Sequence, residues 1–181
     1  MEKERLNVIL ETLRHTPTGN ICDAMRRVGV SCYMKGLTCL QGDLDECMVG
    51  QASTISYSPK QAGYEKSGLG QFQLVRATEP GSVLIFAARG TQCWVTGANV
   101  GQMMMTQGLT GLIVDGCVRD KKELSQRDMP VYCLGSGTKP YAEEIQADGF
   151  NVPVDVCGAR VNPGDIVVGD GDGVCIIPLK H

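Results

Sequence analysis

Two short apolar stretches, VLIFAA at Val83–Ala88 and GLIVD at Gly111–Asp115, decide the fold of this chain. Such continuous apolar runs are typical of strands that are buried on both faces. Between them, Asn99–Gln107 predicts a helix closed by Gly108, and VYCL at Val131–Leu134 predicts a further strand. The alternation of strand, helix, strand, helix and strand indicates a parallel sheet with crossover helices.

The N-terminal part of the chain predicts two helices. Apolar residues recur at helical spacing over Leu6–Leu13, which indicates an amphipathic first helix. A second helix is predicted from Asn20, which has the spacing of a capping box with Asp23, to Gly29. The following stretch, to about Ser58, is rich in glycine and short apolar runs and predicts strands joined by turns.

The C-terminal part predicts short strands. Residues 59–81 are ambiguous, although FQLVRATEPGS indicates a helix end followed by a Pro-Gly turn. The segments VPVDVCG, DIVVGD and GVCIIP predict strands separated by turns at NPGD and DGDG. We interpret Asp170–Val174 as a hairpin turn rather than a calcium loop, because an EF-hand would need a terminal glutamate at a fixed position. The sequence thus predicts one α/β domain over residues 1–181, with a β-rich C-terminal layer.

The composition excludes several classes of protein. The chain has 181 residues, of which 43% are hydrophobic and 20% charged, as in soluble globular domains. A net charge of −3 indicates no basic surface for nucleic acid, and few aromatic residues are available to stack on bases. The N-terminus is charged and lacks the apolar core of a signal peptide, and no apolar stretch is long enough to span a bilayer. We therefore expect a cytoplasmic protein with no nucleic-acid or membrane partner.

The cysteine and histidine content limits the possible chemistry. Nine cysteines without any CxxC pair fit neither a zinc knuckle nor a disulfide framework, so reduced and mostly buried thiols are expected. The two histidines leave little for a zinc site or a Ser-His-Asp relay. Any metal would be a hard ion bound by oxygen atoms.

The stretch WVTGANVG places a glycine between a strand and the start of a helix. The first turn of a helix has free N–H groups, and the helix dipole favours a negative charge there. Gly97, Ala98, Asn99 and Val100 are therefore candidates for holding a carboxylate through their main-chain amides. The alternative is that Asn99 only caps the helix.

The stretch GLIVDGCVRD places Arg119 and Asp120 beyond the carboxyl end of the next strand. Ligands of open α/β sheets bind at this edge, where several loops converge. A guanidinium can hold a carboxylate or a keto oxygen, and an aspartate can hold Mg²⁺ or Mn²⁺. The alternative is structural: Asp120 and Glu123 have the spacing of a capping box, and Arg119 would then be an ordinary surface residue.

The order and spacing of these motifs resemble one known family. Five motifs follow one another along the chain: GANV, GLIVDGCVRD with Glu123 after it, MPVY, GTKP and VNPGDIVVGDGDGVCIIP. A gap of 21 residues separates Gly97 from Arg119. Together with TPTGNICDAMRRVG near the N-terminus, they are similar to the family that joins 4-hydroxy-4-methyl-2-oxoglutarate aldolases with the regulator of ribonuclease activity A. The resemblance extends from about Thr16 to Pro178.

The resemblance implies a fold, an activity and a site. It implies a layered β/β/α fold like the swivelling domain of phosphoenolpyruvate-using enzymes, and a homotrimer or hexamer. It implies that the pyruvate part of a 2-keto acid is bound by the amides of residues 97–100 and by Arg119, and that Asp120 holds a divalent metal, Mg²⁺ or Mn²⁺. The implied reactions are retro-aldol cleavage of 4-hydroxy-4-methyl-2-oxoglutarate and decarboxylation of oxaloacetate.

Both reactions leave pyruvate enolate, so both require stabilisation of the same developing negative charge. Retro-aldol cleavage also requires a base for the C4 hydroxyl, and a metal-linked or ordered water is the candidate. Glu123 would orient that water, or would only cap the helix. Position 98, often acidic in the family, is Ala98 in this chain.

The family also includes a second class of function. In length the chain is nearer the ribonuclease-regulator branch, so the alternative function is that of a non-catalytic protein that binds a ribonuclease. That branch typically lacks the aspartate after the arginine, whereas this chain has Asp120.

Overall fold

The computed structural model describes residues 3–60 and 70–179, in which helices pack against a long mixed sheet. The helices are α1 (Lys3–Arg14), α2 (Thr18–Arg27), α3 (Gln71–Ala77), α4 (Ala98–Thr106) and α5 (Lys121–Ser125), with a 3₁₀ turn at Tyr141–Glu143. The strands are β1 (Thr38–Cys39), β2 (Met48–Pro59), β3 (Ser82–Thr96), β4 (Gly111–Val118), β5 (Val131–Ser136), β6 (Ile145–Phe150), β7 (Val154–Val156), β8 (Ala159–Val161), β9 (Ile166–Gly169) and β10 (Val174–Ile177).

Strands β2, β3, β4 and β5 run parallel at the centre of the sheet. The strand order is β1-β5-β4-β3-β2-β9-β10, and β6 pairs with the second half of β2. Strands β1, β6, β9 and β10 pair antiparallel with their neighbours, and β7 and β8 form a separate hairpin. The predicted α/β fold with a central, mainly parallel sheet and β-rich C-terminal strands is therefore confirmed.

Both faces of the central strands are covered. Leu84 and Phe86 of β3 belong to the core cluster that includes residues of α3 and α4. Val83 and Ile85, which alternate with them, belong to the cluster that contains the β7–β8 hairpin. Every residue of β4 is buried, which explains why its sequence is a continuous apolar run. The sheet therefore lies between a helical layer and a β layer.

The start of α2 differs from the prediction. The helix begins at Thr18, its N-cap position is Pro17, and Asn20 lies inside the helix, so the capping box of Asn20 and Asp23 is wrong. Asp170, from the turn between β9 and β10, supplies the cap instead. Its two carboxylate oxygens accept hydrogen bonds from the Thr18 N–H and hydroxyl, each at 2.8 Å. A carboxylate from a distant turn replaces the local cap because it satisfies the free N–H and opposes the helix dipole.

Several other predictions can be compared with the structure. The hairpin turn at Asp170–Val174 is confirmed, because β9 and β10 pair antiparallel on either side of it. The FQLVRA stretch forms α3, whereas residues 61–69 lie outside the described residues. All nine cysteines are free thiols, and six of them are buried. Within residues 3–60 and 70–179, no helix is long and apolar enough to cross a membrane.

Candidate functional site

The loop between β3 and α4 is short because Gly97 alone separates the two elements. Gly97 is the N-cap residue of α4, and the Gly101 N–H donates to its carbonyl oxygen at 3.1 Å. The N-cap position is Gly97 and not Asn99, so the suggestion that Asn99 caps this helix is wrong. Asn99 lies in the first turn, and an N–H group there has no carbonyl partner within the helix. Of the amides that the sequence predicted as donors, the Ala98 N–H is already taken, because it donates to Asp120.

Arg119 and Asp120 occupy the junction between β4 and α5. The Arg119 N–H donates to the Thr96 carbonyl at 3.0 Å, which fixes the end of β4 beside the end of β3. Asp120 has a φ of 58°, a left-handed conformation that is uncommon for residues other than glycine. The two side chains are 47% and 41% exposed, and 3.5 Å separates Arg119 Nε from Asp120 Oδ2. Both charged groups are therefore open to a ligand.

The structure brings these two predicted parts of the site together. Asp120 Oδ2 accepts a hydrogen bond from the Ala98 N–H at 3.1 Å, so the carboxylate lies at the start of α4. It does not cap its own helix α5, which excludes the capping box with Glu123. The reason is geometric: β3 and β4 are parallel neighbours, so α4 and α5 start at the same edge of the sheet.

An open groove of about 480 Å³ lies at this edge. The carboxyl ends of three parallel strands contribute to it, namely β3, β4 and β5. Its lining is about equally polar and apolar, and it carries both signs of charge. The lining residues are Trp94, Arg119, Asp120, Lys121, Ser136, Gly137 and Thr138.

Trp94 is a site residue that the sequence reasoning missed. The Arg119 guanidinium carbon lies 4.2 Å from the centre of the indole ring, within the range of a cation–π contact. The stretch WVTGANVG could have indicated Trp94, because the one tryptophan of the chain lies three residues before Gly97. Its stacking on Arg119 depends on the pairing of β3 with β4, which the sequence of one strand does not encode.

The Glu123 side chain contacts Arg127 and not the residues of the groove. It forms an ion pair with Arg127 at 2.7 Å, one helical turn further along, and Arg127 also donates to Gln102 of α4. Glu123 does not line the groove in the described part of the chain. The contacts observed for Glu123 join α5 to α4, and its role in orienting a catalytic water stays a prediction.

The thiols near the groove are unsuited to nucleophilic chemistry. Burial raises the pKa of Cys117 on β4, and it raises the pKa of Cys133 on β5 to about 11. The reactive form of cysteine is the thiolate, and these groups remain protonated at neutral pH. Cysteine-based covalent catalysis is therefore not supported at this site.

The groove offers one carboxylate for a divalent cation. Among residues 3–60 and 70–179, no group of three or more His, Cys, Asp or Glu side chains is arranged to hold a metal ion. Asp120 Oδ2 accepts the hydrogen bond from the Ala98 amide, and no hydrogen bond or ion pair with another described residue involves Oδ1. Mg²⁺ commonly binds through one or two carboxylates while waters and substrate oxygens complete its shell. The donor set fits such an ion, with Asp120 as its protein ligand.

Solved structures with the same architecture support the class of fold. RraAS2 from Streptomyces coelicolor, described as an unusual member of the RNase ES inhibitor RraA family, superposes with a TM-score of 0.87 at 23% identity, covering 99% of this chain and 87% of that one. The RNA-processing inhibitor RraA from a Thermus species superposes with a TM-score of 0.71 at 21% identity, covering 91% and 93%. The chain therefore has the RraA fold.

Sequence comparisons place the chain within the family. Residues 18–176 match the family model described as RraA-like, aldolase/RraA. A Halalkalibacterium halodurans protein provisionally named 4-hydroxy-4-methyl-2-oxoglutarate aldolase is 30% identical over 172 residues, covering 91% of this chain and 74% of the relative. An Arabidopsis thaliana protein with the same provisional name, numbered 3, is 32% identical over 113 residues, covering 62% and 68%. The chain belongs to the RraA-like family.

Proposed function

We propose that this protein is a divalent-metal-dependent carbon–carbon lyase that acts on small 2-keto acids. Its reactions would be retro-aldol cleavage of 4-hydroxy-4-methyl-2-oxoglutarate to pyruvate and decarboxylation of oxaloacetate. The observation that carries the proposal is that Arg119 and Asp120 line one groove while the Asp120 carboxylate accepts a hydrogen bond from the Ala98 N–H at the start of α4. The provisional names of the sequence relatives support the same class of reaction.

Binding of the keto acid would use main-chain and side-chain donors together. The Ala98 N–H donates to Asp120 in the structure, which orients that carboxylate. The amides of Asn99 and Val100 in the same helical turn would then bind the carboxylate of the substrate, supported by the helix dipole. The Arg119 guanidinium would hold the carboxylate and the 2-keto oxygen through its in-plane N–H groups. Gly97 allows this close approach of backbone and ligand.

Asp120 would hold Mg²⁺ or Mn²⁺ at the open side of its carboxylate. Such an ion supplies Lewis-acid stabilisation of the negative charge that develops on the 2-keto oxygen when the carbon–carbon bond breaks. Arg119 supplies positive charge beside the same oxygen, and both charges favour the transition state over the ground state. The bond cleavage of decarboxylation requires no further group, because carbon dioxide leaves without proton transfer. A proton from water at C3 of the enolate then gives pyruvate.

Retro-aldol cleavage requires one more step, removal of the proton from the C4 hydroxyl. The carboxylate that lines the groove is Asp120, whose position is fixed by Ala98 and Arg119. We assign the base to an ordered water in the groove, because Ala98 presents no carboxylate at the position that is often acidic in the family. Glu123 is retained as a candidate for orienting that water.

The decisive experiment measures pyruvate release from oxaloacetate and from 4-hydroxy-4-methyl-2-oxoglutarate with Mg²⁺ or Mn²⁺, and again with EDTA. We expect metal-dependent release above the uncatalysed rate, reduced by about 10²-fold or more in Asp120→Asn and in Arg119→Met. Asp128→Asn, in the same β4–β5 connection but outside the groove, is the matched control and should retain wild-type activity.

One further variant, Glu123→Gln, tests the role of Glu123. Glu123→Gln keeps a hydrogen-bond acceptor for Arg127, so a purely structural role predicts nearly unchanged turnover, whereas a role in orienting water predicts a selective loss of retro-aldol cleavage. Equal turnover by wild type and Asp120→Asn on both substrates would eliminate the proposed site.

The second candidate function is that of a protein-binding regulator of a ribonuclease. It is favoured by the fold shared with proteins described as inhibitors of RNA processing and of RNase ES. The test is binding of the purified protein to a ribonuclease catalytic domain of the RNase E type, with RNA cleavage as the second readout. Binding that survives Asp120→Asn would separate this function from the lyase. Failure to bind or inhibit would leave the lyase as the proposal.

We also propose that the chain assembles as a homotrimer or hexamer, as its family membership implies. Light scattering coupled to size-exclusion chromatography would give three or six times the mass of one chain. A monomer at micromolar concentration would contradict this assembly.

A further inference from the structure

Trp94 is held in place by three contacts besides its strand. Its indole Nε1–H donates to the Thr138 carbonyl at 3.0 Å, and its main-chain N–H donates to the Lys139 carbonyl at 2.8 Å. Its ring also makes an edge-to-face contact with Tyr141, with 6.3 Å between the ring centres. The indole is therefore a fixed surface between the end of β3 and the segment that follows β5.

Arg119, in contrast, has few contacts that would fix its guanidinium. The side chain is 47% exposed, and its ion pair with Asp120 is long at 3.5 Å. The Trp94 ring lies against the guanidinium, with 4.2 Å between the guanidinium carbon and the ring centre. Without that surface, the several rotatable bonds of arginine would let the charge sample many positions in the groove.

Stacking on an aromatic ring, unlike an ion pair, leaves the N–H donors of a guanidinium free to bind a ligand. The guanidinium is planar, and its five N–H donors lie in that plane. A contact through the flat face uses none of these donors, so all of them outside the Asp120 contact remain available to a carboxylate or a keto oxygen. Trp94 can therefore restrain Arg119 without competing with a ligand.

We propose that Trp94 is a positioning residue that holds the Arg119 guanidinium in the orientation that binds the 2-keto acid. The proposal rests on the proposed function for its ligand and on the contacts above for its geometry. The same indole binds the Thr138 carbonyl, so it also links Arg119 to the opposite wall of the groove. This role requires a flat aromatic ring at position 94, and an aliphatic side chain cannot hold the guanidinium in the same way.

The first experiment tests the stack in the protein without added ligand. Trp94 is the only tryptophan, so fluorescence excited at the red edge of absorption, where the five tyrosines do not absorb, reports on it alone. Arg119→Ala should expose one face of the indole and increase the rate of quenching by acrylamide. Lys121→Ala removes the other cation of the groove and should leave the quenching unchanged. Equal quenching in wild type and Arg119→Ala would show that the stack does not form in solution.

The second experiment tests the role of the stack in binding. Oxalate with Mg²⁺ is the probe, because oxalate has the planar dianionic form of pyruvate enolate, and calorimetry gives its Kd in each variant. We expect Trp94→Leu to raise the Kd about three- to fivefold, in line with loss of a cation–π contact to a half-exposed guanidinium. Trp94→Phe keeps a ring but loses the hydrogen bond to Thr138, and it should restore most of the affinity.

Controls separate positioning from folding. Phe72→Leu removes another half-exposed aromatic, 51% exposed on α3, and should leave the oxalate Kd unchanged. Thermal unfolding of each variant checks that the fold is intact. An unchanged Kd in Trp94→Leu, or an equal loss in Trp94→Phe and Trp94→Leu, would overturn the positioning role. Absence of oxalate binding in the wild type would refute the proposed function itself, whereas tight binding without the stack would refute the role of Trp94 alone.

Discussion

A glycine is required at position 97 because neighbouring side chains leave no room for a Cβ atom, and not because of the backbone angles. Its φ of −161° is an extended conformation that any residue adopts. A Cβ at this position would lie 2.6 Å from Asp120 Oδ2 and 2.8 Å from Arg119 Cγ. Both distances are shorter than carbon contacts allow, so a side chain at position 97 would displace the two charged residues of the groove.

We therefore expect Gly97→Ala to lower the kcat/KM for pyruvate release by about 100-fold, the effect of a displacement of roughly 1 Å at a reacting centre. Gly70→Ala is the matched control, because Gly70 is also a helix N-cap and its Cβ would meet no atom closer than 3.8 Å. Steady-state kinetics on both variants, with thermal unfolding to check the fold, gives the answer. Equal activity in the two variants would contradict the crowded geometry.

Asp115 is a buried carboxyl group on β4 that lies away from the groove. It is 7% exposed, and burial raises its pKa above the usual range, although hydrogen bonds from Cys157, Gly90 and Arg89 oppose that effect. Because the folded pKa is the higher one, the neutral form stabilises the fold below the unfolded pKa of about 3.9. That stabilisation is lost as the pH rises through the folded pKa.

Asp115→Asn should therefore gain stability relative to wild type as the pH rises from about 4 towards neutrality. Urea unfolding of both proteins over this range measures the difference, which should level off above the folded pKa. A difference that does not change with pH would show that the buried carboxyl titrates as it does in the unfolded chain.

At the scale of elements, α2 depends on a residue more than 140 positions away, because Asp170 caps it through Thr18. Loss of a capping side chain costs about 1–2 kcal/mol. Here the two hydrogen bonds from Thr18 and the one from the Asp172 N–H are lost together. Asp170→Ala should lower the free energy of unfolding by that amount in urea titrations. Asp172→Ala, an exposed aspartate in the same turn, should change it by less than about 0.5 kcal/mol. Equal effects would show that the turn, and not the cap, is the stabilising feature.

At the scale of the whole molecule, packing determines which thiols can react. Only Cys22, Cys47 and Cys157 are partly exposed, and burial raises the pKa of Cys47 and raises that of Cys157 to about 12. A thiol reagent such as DTNB at pH 8 should therefore react quickly with no more than three thiols in the native protein. All nine should react after denaturation. Rapid reaction of more than three native thiols would contradict the packing of the core.

The sequence by itself determined the elements and the candidates for the site. The continuous apolar runs of β3 and β4 predicted buried parallel strands, because residues buried on both faces leave no polar alternation. The position of Arg119 and Asp120 after β4, and of Gly97 before α4, predicted one shared edge of the sheet. These inferences succeeded because they depend on local patterns and on the general geometry of parallel sheets.

Only the tertiary structure decided which groups contact each other at that edge. The sequence offered local partners, Asp23 for Asn20, Glu123 for Asp120 and Asn99 for its own helix, and in each case the structure shows a different arrangement. Asp170 caps α2, Asp120 contacts Ala98, and Trp94 supports Arg119. A buried or half-buried polar group binds the best donor or acceptor within reach, and which groups are within reach is set by strand order and register. Strand order and register cannot be read from a single sequence, so these contacts are visible only in the tertiary structure.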